Sequence, residues 1–280
     1  MGSKSLRVVY RNLAENAGLS AASVSTLPVS NLQNGYKGVM WRSPTTNVVI
    51  TADFPKPSPV TMVALLYTNL SQSAEIRIQG YSGPIKDVLE FDTNWVLANP
   101  PDVFETLDWG VEELGMNHHN RFDPHKCYCV HWLESVYSVE RLTIEIRDDL
   151  NPDGFVQAST LLIGDHWEPE ITADLGVQLG YEDLSTQSRL DSGAVRNQSR
   201  PMYKSLQFQL SALSLDEGQK LNQIVRHLGL SRPVFVSLYP EHSDVNLERS
   251  HQLYGKLRRM NPFSTPFYNT NQISLSVEEI

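Results

Sequence analysis

The sequence predicts a mainly β chain: an N-terminal β-sandwich followed by a smaller α+β domain with a strand-helix-strand core. Three observations predict it. Short alternating or apolar runs separated by Pro- and Gly-rich breaks dominate the first ~165 residues. One capped helical segment stands alone after Leu213. Alternating runs flank that helix on both sides.

In chain order, the strand runs are Val48-Val49-Ile50-Thr51, Val60 to Tyr67, Glu75-Ile76-Arg77-Ile78-Gln79, Cys127 to Trp132, Leu142-Thr143-Ile144-Glu145-Ile146 and Thr160-Leu161-Leu162-Ile163. Between them lie Phe54-Pro55-Lys56-Pro57-Ser58-Pro59, Ser82-Gly83-Pro84, Asn99-Pro100-Pro101 and Asn151-Pro152-Asp153-Gly154, where Pro and Gly favour turns and interrupt a strand. Ser214-Leu215-Asp216-Glu217 has capping-box spacing, Leu221, Ile224, Val225 and Leu228 follow at helical period, and Gly229 stands where the helix should stop. Ser205 to Leu210 before it and Pro233 to Leu238 after it alternate with period two, and more β structure ends at Gln272 to Val277. The boundary is set at Gly164 to Ala173, giving domains 1–168 and 169–280. A chain of 280 residues exceeds the ~100 to 200 that one core usually serves.

Composition narrows the function. With 40% hydrophobic and 20% charged residues, 16 Gly and 16 Pro, the chain reads as folded and loop-rich. A net charge of -9 argues against nucleic acid, whose partners display basic stripes. The longest apolar run, Val60 to Tyr67, falls short of the ~20 residues that span a bilayer, so no membrane insertion is expected. The start, Met1-Gly2-Ser3-Lys4-Ser5, lacks a signal peptide's apolar core, and assembly in the cytoplasm is the expectation.

Chemistry-bearing residues are few. His118, His119, Asp123, His125, Cys127, Cys129 and His131 invite a zinc reading. If His125, Cys127, Cys129 and His131 alternate along one strand, they stretch over ~20 Å at ~3.3 Å per residue, too far for one tetrahedral ion. The plainer reading makes both cysteines small core residues and leaves no metal or cofactor. No serine elbow, Cys-His pair or phosphate loop matches a known arrangement. Glu90 with Asp92 and Asp148 with Asp149 are acid pairs of the kind a glycosidase needs, but they read more simply as solvated loop acids. No catalytic residue is assigned and the chain is expected not to be an enzyme. Of Trp41, Trp95, Trp109, Trp132 and Trp167, the loop residues Trp95 and Trp109 are the candidates for a sugar contact, because a ring face packs on the apolar face of a sugar. The long segment Tyr81 to Lys126 has little regular patterning and is expected to contact partners.

Asn31-Leu32-Gln33, Tyr36 to Ser43, Val48 to Phe54, Val60 to Gly80 and Arg141 to Ile163 together resemble the galactose-binding-like (discoidin) jelly roll, with a Trp-Arg-Ser turn before the first core strand and an Ile-Gly end. Ala64 to Ser71, Ala74 to Gln79 and Leu161 to Pro169 resemble the version of that fold carried by phage tail proteins. Arg196 to Ser211, the capped helix, Val234 to Pro240 and Gln272 to Glu279 are similar to tail and baseplate proteins of the distal-tail type. The resemblance implies a structural virion protein of a tailed bacteriophage, a homo-oligomeric ring or adaptor in contact with other tail proteins, assembled in the host cytoplasm. Tyr81 to Lys126 and His242 to Tyr268 fall outside it. In that reading 169–280 is the oligomerisation domain, with contacts in the 205–240 region and in a His242 to Tyr268 loop. There Leu253, Tyr254, Leu257 and Phe263 would be apolar anchors among Arg258 and Arg259. The alternative is a carbohydrate-binding, receptor-recognition module of the virion, with a host surface glycan as partner. A hydrolase acting on surface sugars is a third reading.

Overall fold

The computed structural model describes residues 6–83, 85–100, 127–189, 191–267 and 270–280. The chain is mainly β, with its strands gathered into two compact units. In order, the strands are β1 (Arg7–Val9), β2 (Gly18–Ala21), β3 (Trp41–Arg42), β4 (Asn47–Thr68), β5 (Glu75–Ser82), β6 (Val88–Asp92), β7 (Val96–Leu97), β8 (Cys127–Arg147), β9 (Gln157–Ala158), β10 (Thr160–Gly164), β11 (His166–Trp167), β12 (Gln178–Asp183), β13 (Thr186–Arg189), β14 (Val195–Gln198), β15 (Met202–Leu213), β16 (Val234–Ser237), β17 (Gln252–Leu257), β18 (Ser264–Phe267) and β19 (Thr270–Glu279). The helices are α1 (Leu215–Leu228) and α2 (Val245–Ser250).

The larger unit comprises Arg11–His166 and Glu241–Arg249. Its sheet runs β10-β4-β8-β5-β6, with β2 on β4 and β7 on β5. The sequence reading expects two strands where β4 stands, broken by Pro55, Pro57 and Pro59. One strand of 22 residues runs through instead, with its register against β8 shifted between Asp53 and Ser58. A proline cannot donate to a ladder, but its φ suits extended backbone, so Pro55 and Pro57 sit where the register slips and no ladder bond is needed. β8 likewise joins two predicted strands into one of 21 residues.

Fully extended, β4 would measure about 70 Å. Yet side chains at both of its ends bond to the same loop: Asn47 Nδ2 donates to Asp149 Oδ1 at 2.7 Å, and Asn69 Nδ2, just past Thr68, donates to Asp153 Oδ2 at 2.9 Å. The β4-β8 pair therefore folds back on itself, and each half supplies one layer of a sandwich. Val48, Ile50, Ala52 and Phe54 from the first half share a core with Val60, Val63 and Leu65 from the second, closed by Ile76, Ile78, Leu142, Ile144, Ile146, Leu161 and Ile163. The alternation that the sequence shows at Glu75–Gln79 and Leu142–Ile146 appears as alternating burial. Trp41 is wholly buried, with Nε1 donating to Ser23 Oγ at 2.8 Å.

The smaller unit comprises Met1–Tyr10, Trp167–Pro240 and Ser250–Ile280. This differs from a linear division at residue 168: β1 pairs with β16, Arg7 opposite Ser237, while the Arg249 guanidinium donates to the Pro100 carbonyl inside the larger unit. Three residues of β1 are too few to carry a readable period. The sheet order is β11-β1-β16-β17-β19-β15-β12, with β18 on β19. Helix α1 lays Leu221, Ile224, Val225 and Leu228 on Leu206, Phe208, Leu275 and Val277 of this sheet. The capping box is present: Ser214 Oγ accepts from Glu217 N at 3.3 Å, and Ser214 N donates to Glu217 Oε2 at 2.8 Å. Gly229 follows at φ 55°.

The segment read as a loop from His242 to Tyr268 contains α2, β17 and β18. β17 lies between β16 and β19 and is buried on both faces, so it shows no alternation to read. Leu253, Tyr254 and Leu257 are therefore interior residues, 0%, 1% and 4% exposed, and not surface anchors. Phe263 packs half-buried against the same core, while Arg258 and Arg259 are exposed. No helix among the described residues is long and apolar enough to cross a membrane.

Candidate functional site

The fold-back of β4 and β8 brings several loops of the larger unit to one end of the sandwich: the turn after β3, the turn after Thr68, the segment around Trp95 and the loop from Asp148 to Val156. Each is fixed by side chains. Asn47 Oδ1 accepts from Asp148 N at 3.3 Å. Asp148 is buried; its carboxylate accepts from Ser71 N at 2.9 Å, from Asn151 Nδ2 at 2.8 Å and from the Ser71 hydroxyl. Asn69 Oδ1 accepts from Gln157 N at 2.7 Å, and its Nδ2 also donates to Phe155 O at 3.0 Å. Ser43 Oγ accepts from Val156 N at 2.9 Å.

Two arginines stand on this frame. Arg42, half-buried on β3, donates from Nε and Nη2 to Gln157 Oε1 at 3.1 and 2.7 Å, and its guanidinium lies 4.0 Å from the centre of the Phe155 ring. Arg147, exposed at the end of β8, places its guanidinium 3.7 Å from the centre of the Trp95 ring. Stacking on an aromatic face holds a guanidinium in plane and leaves its N–H edge outward. Asp149 and Asp153 are exposed beside them and are engaged by the amides of Asn47 and Asn69, not by the arginines.

Tyr67 adds strain at the exit of β4. It sits at a register shift with φ 56°, a left-handed conformation costly for a bulky side chain, yet it is buried. Its hydroxyl accepts from Tyr128 Oη at 3.2 Å, and Lys37 Nζ lies 4.6 Å above its ring.

The candidates named from the sequence fall in different places. Trp95 is at the loop end, but one face of its ring is taken by Arg147. Trp109, His118, His119, Asp123 and His125 lie outside the described residues. Cys127, Cys129 and His131 follow one another on β8; burial pushes the Cys129 thiol up to about 12 and lowers the pKa of His131. A thiol held protonated in an apolar core is the opposite of the thiolate that binds zinc. Asp92 is bound by Arg77 (Nε 3.0 Å), which holds its carboxyl far below the usual range, and by Gln79 and the Asn94 N–H. A glycosidase acid needs a raised pKa, so Glu90 with Asp92 is a poor acid pair. Asp148 and Asp149 do reach the loop end. Arg42, Phe155, Asn69, Gln157 and Arg147 were not singled out from the sequence; the Trp-Arg-Ser turn and the Asn-Pro-Asp-Gly loop are the signals that pointed nearest to them.

No family model matches the chain, and no curated protein matches it. Among solved structures it is similar to the family 32 carbohydrate-binding module of C. perfringens NanJ in complex with galactose, at 11% identity and a TM-score of 0.39 over 56% of this chain and 99% of that one. It is similar also to a Streptococcus pneumoniae fucose binding module, at 10% identity and a TM-score of 0.36 over 55% of this chain and 98% of that one. A third is the CBM32 of AlyQ in complex with 4,5-unsaturated mannuronic acid, at 12% identity and a TM-score of 0.34 over 52% of this chain and 92% of that one.

Proposed function

We propose that this chain is a non-catalytic recognition protein whose larger unit binds carbohydrate at the loop end of its sandwich. The observation that carries the reading is the pair of arginine-aromatic stacks, Arg42 on Phe155 and Arg147 on Trp95, set beside Asp149 and Asp153 in loops pinned by Asn47 and Asn69. Sugar hydroxyls both donate and accept, so a sugar site needs planar acceptors and donors in fixed positions with ring or apolar surface between them. A catalytic role would need a carboxyl acid of raised pKa and a facing base. The acids here are instead tied by neutral amides.

A second reading, a structural phage tail or baseplate component forming a ring or adaptor, is favoured by one observation in the smaller unit. β12 and β15 pair from Gln178 opposite Gln207 to Asp183 opposite Met202, and the same hairpin continues as β13 and β14, Thr186 opposite Gln198 to Arg189 opposite Val195. Every residue of β13 and β14 is exposed, and the two form a sheet of only two strands. Such a ribbon is marginal alone in water, and its open edges are templates for pairing with another chain. The two readings are compatible in a virion component that recognises a surface glycan.

Titration of the full chain with a panel of immobilised glycans, alongside its mass in solution by light scattering, tests both. Saturable binding lost on Arg42→Gln supports recognition. Binding to no glycan by a protein that assembles into a ring overturns it in favour of the structural reading.

A further inference from the structure

Among the described residues, no carboxylate forms an ion pair with Arg42 or Arg147. Glu75 is the β-ladder partner of Arg147, and Asp149 and Asp153 stand on the neighbouring loop, yet none of the three pairs with either arginine, and Asp149 and Asp153 accept from the Asn47 and Asn69 amides instead. Arg77, Arg141 and Arg258, by contrast, each hold a carboxylate.

Both guanidiniums are nevertheless fixed in place. Arg42 is clamped between the Phe155 ring and Gln157 Oε1, and that bond engages only Nε and Nη2, leaving Nη1 with no bond among the described residues. The Arg147 guanidinium carbon lies 3.7 Å from the centre of the Trp95 ring. A positioned fork whose N–H groups meet no carboxylate among the described residues matches the two oxygens of an oxyanion, and the ordering cost of the side chain has been met in folding.

We infer that the glycan bound at this end is an acidic one, a polysaccharide bearing carboxylate or sulfate groups, whose anionic groups seat on Arg42 and Arg147 while its hydroxyls donate to Asp149 and Asp153. This rests on the carbohydrate-binding reading of the same site. The two acids account for selectivity of another kind: they repel a simple anion and favour a ligand that carries hydroxyls as well as charge. The chain as a whole is at -9, so the attraction is local to the two forks and not a general field.

The test is isothermal titration of the full chain with polygalacturonate oligosaccharides, alginate oligosaccharides, a sialylated oligosaccharide and chondroitin sulfate, each paired with an uncharged counterpart such as the methyl ester. At least one acidic glycan should bind about tenfold or more tightly than its neutral partner, the scale of one charge-assisted contact, and should weaken as salt rises. Arg147→Gln, at an exposed position, should remove most of that preference without changing the unfolding temperature, and Arg42→Lys should keep only part of it. If a neutral glycan binds as tightly as its acidic form, the ligand class is wrong and the carbohydrate reading stands. If neither the acidic set nor any neutral glycan binds, both fall.

Discussion

Replacing Leu253 by Ala separates a core position from a subunit contact. Leu253 is fully buried on β17, opposite Val236, in the core that α1 closes. The change removes three carbon atoms. At about 0.8 kcal/mol for each buried methylene the transfer loss is about 2.4 kcal/mol, and the cavity left between sheet and helix raises the cost to about 3 to 5 kcal/mol. Folded domains have only about 5 to 15 kcal/mol in all, so the smaller unit should lose a large part of its stability. Arg258→Ala removes exposed ion pairs to Glu182 and Glu278, both 2.7 Å, which water and salt screen, and should leave the stability close to that of the wild type. The assay is urea unfolding followed by fluorescence. Trp167 is the one tryptophan in the smaller unit's core, and fluorescence of a chain carrying Phe at Trp41, Trp95, Trp109 and Trp132 would follow that unit alone. If Leu253→Ala kept wild-type stability but lowered the mass in solution, Leu253 would be a subunit anchor and the assignment to the core would be refuted.

Two further perturbations probe the same sheet. Lys204 donates to Gln252 O at 2.9 Å, and desolvation pulls its amine from 10.5 down to about 8, opposed by Glu279. Because the folded form binds fewer protons than the unfolded chain between those values, stability should rise with pH from about 8 to 10.5; Lys204→Met should be the more stable protein at pH 7 and lose that rise, and parallel curves of unfolding temperature against pH would reject the reasoning. Gly255→Ala would put a Cβ 2.0 Å from the backbone oxygen of Glu278, forcing β17 from β19 at a cost of about 1 to 3 kcal/mol or more, whereas Gly38→Ala, with nothing within 4 Å, should be neutral in the same denaturant titration.

What could be read in the sequence follows from how each element meets water. β5 and the second half of β8 have one face in the core and one partly exposed, so their alternation is visible in the letters. Helix α1 carries its start and stop signals within a few residues, at Ser214, Glu217 and Gly229. β17, buried on both faces, and the ribbon β13-β14, exposed on both, have no alternation and were missed. The prolines before Pro59 read as a break because their effect on a ladder is local knowledge, while the slip in register that accommodates them depends on β8, far along the chain. The site was legible only in its parts. Trp95 and the Asp148-Asp149 pair could be picked out by type, but the stack of Arg42 on Phe155 joins two turns whose nearness follows from the fold-back of β4.

That fold-back holds the loop end in one arrangement. Asn47 stands at the start of β4 and Asn69 just past its end, and each uses its amide to hold a different part of the loop after β8: Asn47 holds Asp148 and Asp149, and Asn69 holds Asp153, Phe155 and Gln157. The strand thus grips the loop twice, and Tyr67, at φ 56°, lies two residues before the second grip. A loop pinned at both ends would lose little freedom on meeting a ligand, so under the proposed carbohydrate reading weak individual contacts to sugar hydroxyls would add up to measurable affinity. The ribbon of the smaller unit has the opposite character: every residue of β13 and β14 is exposed, and among the described residues each of the two strands pairs only with the other. On the proposed reading, recognition would belong to the pinned loop end of the larger unit, and any assembly contact to the exposed β13-β14 ribbon of the smaller one.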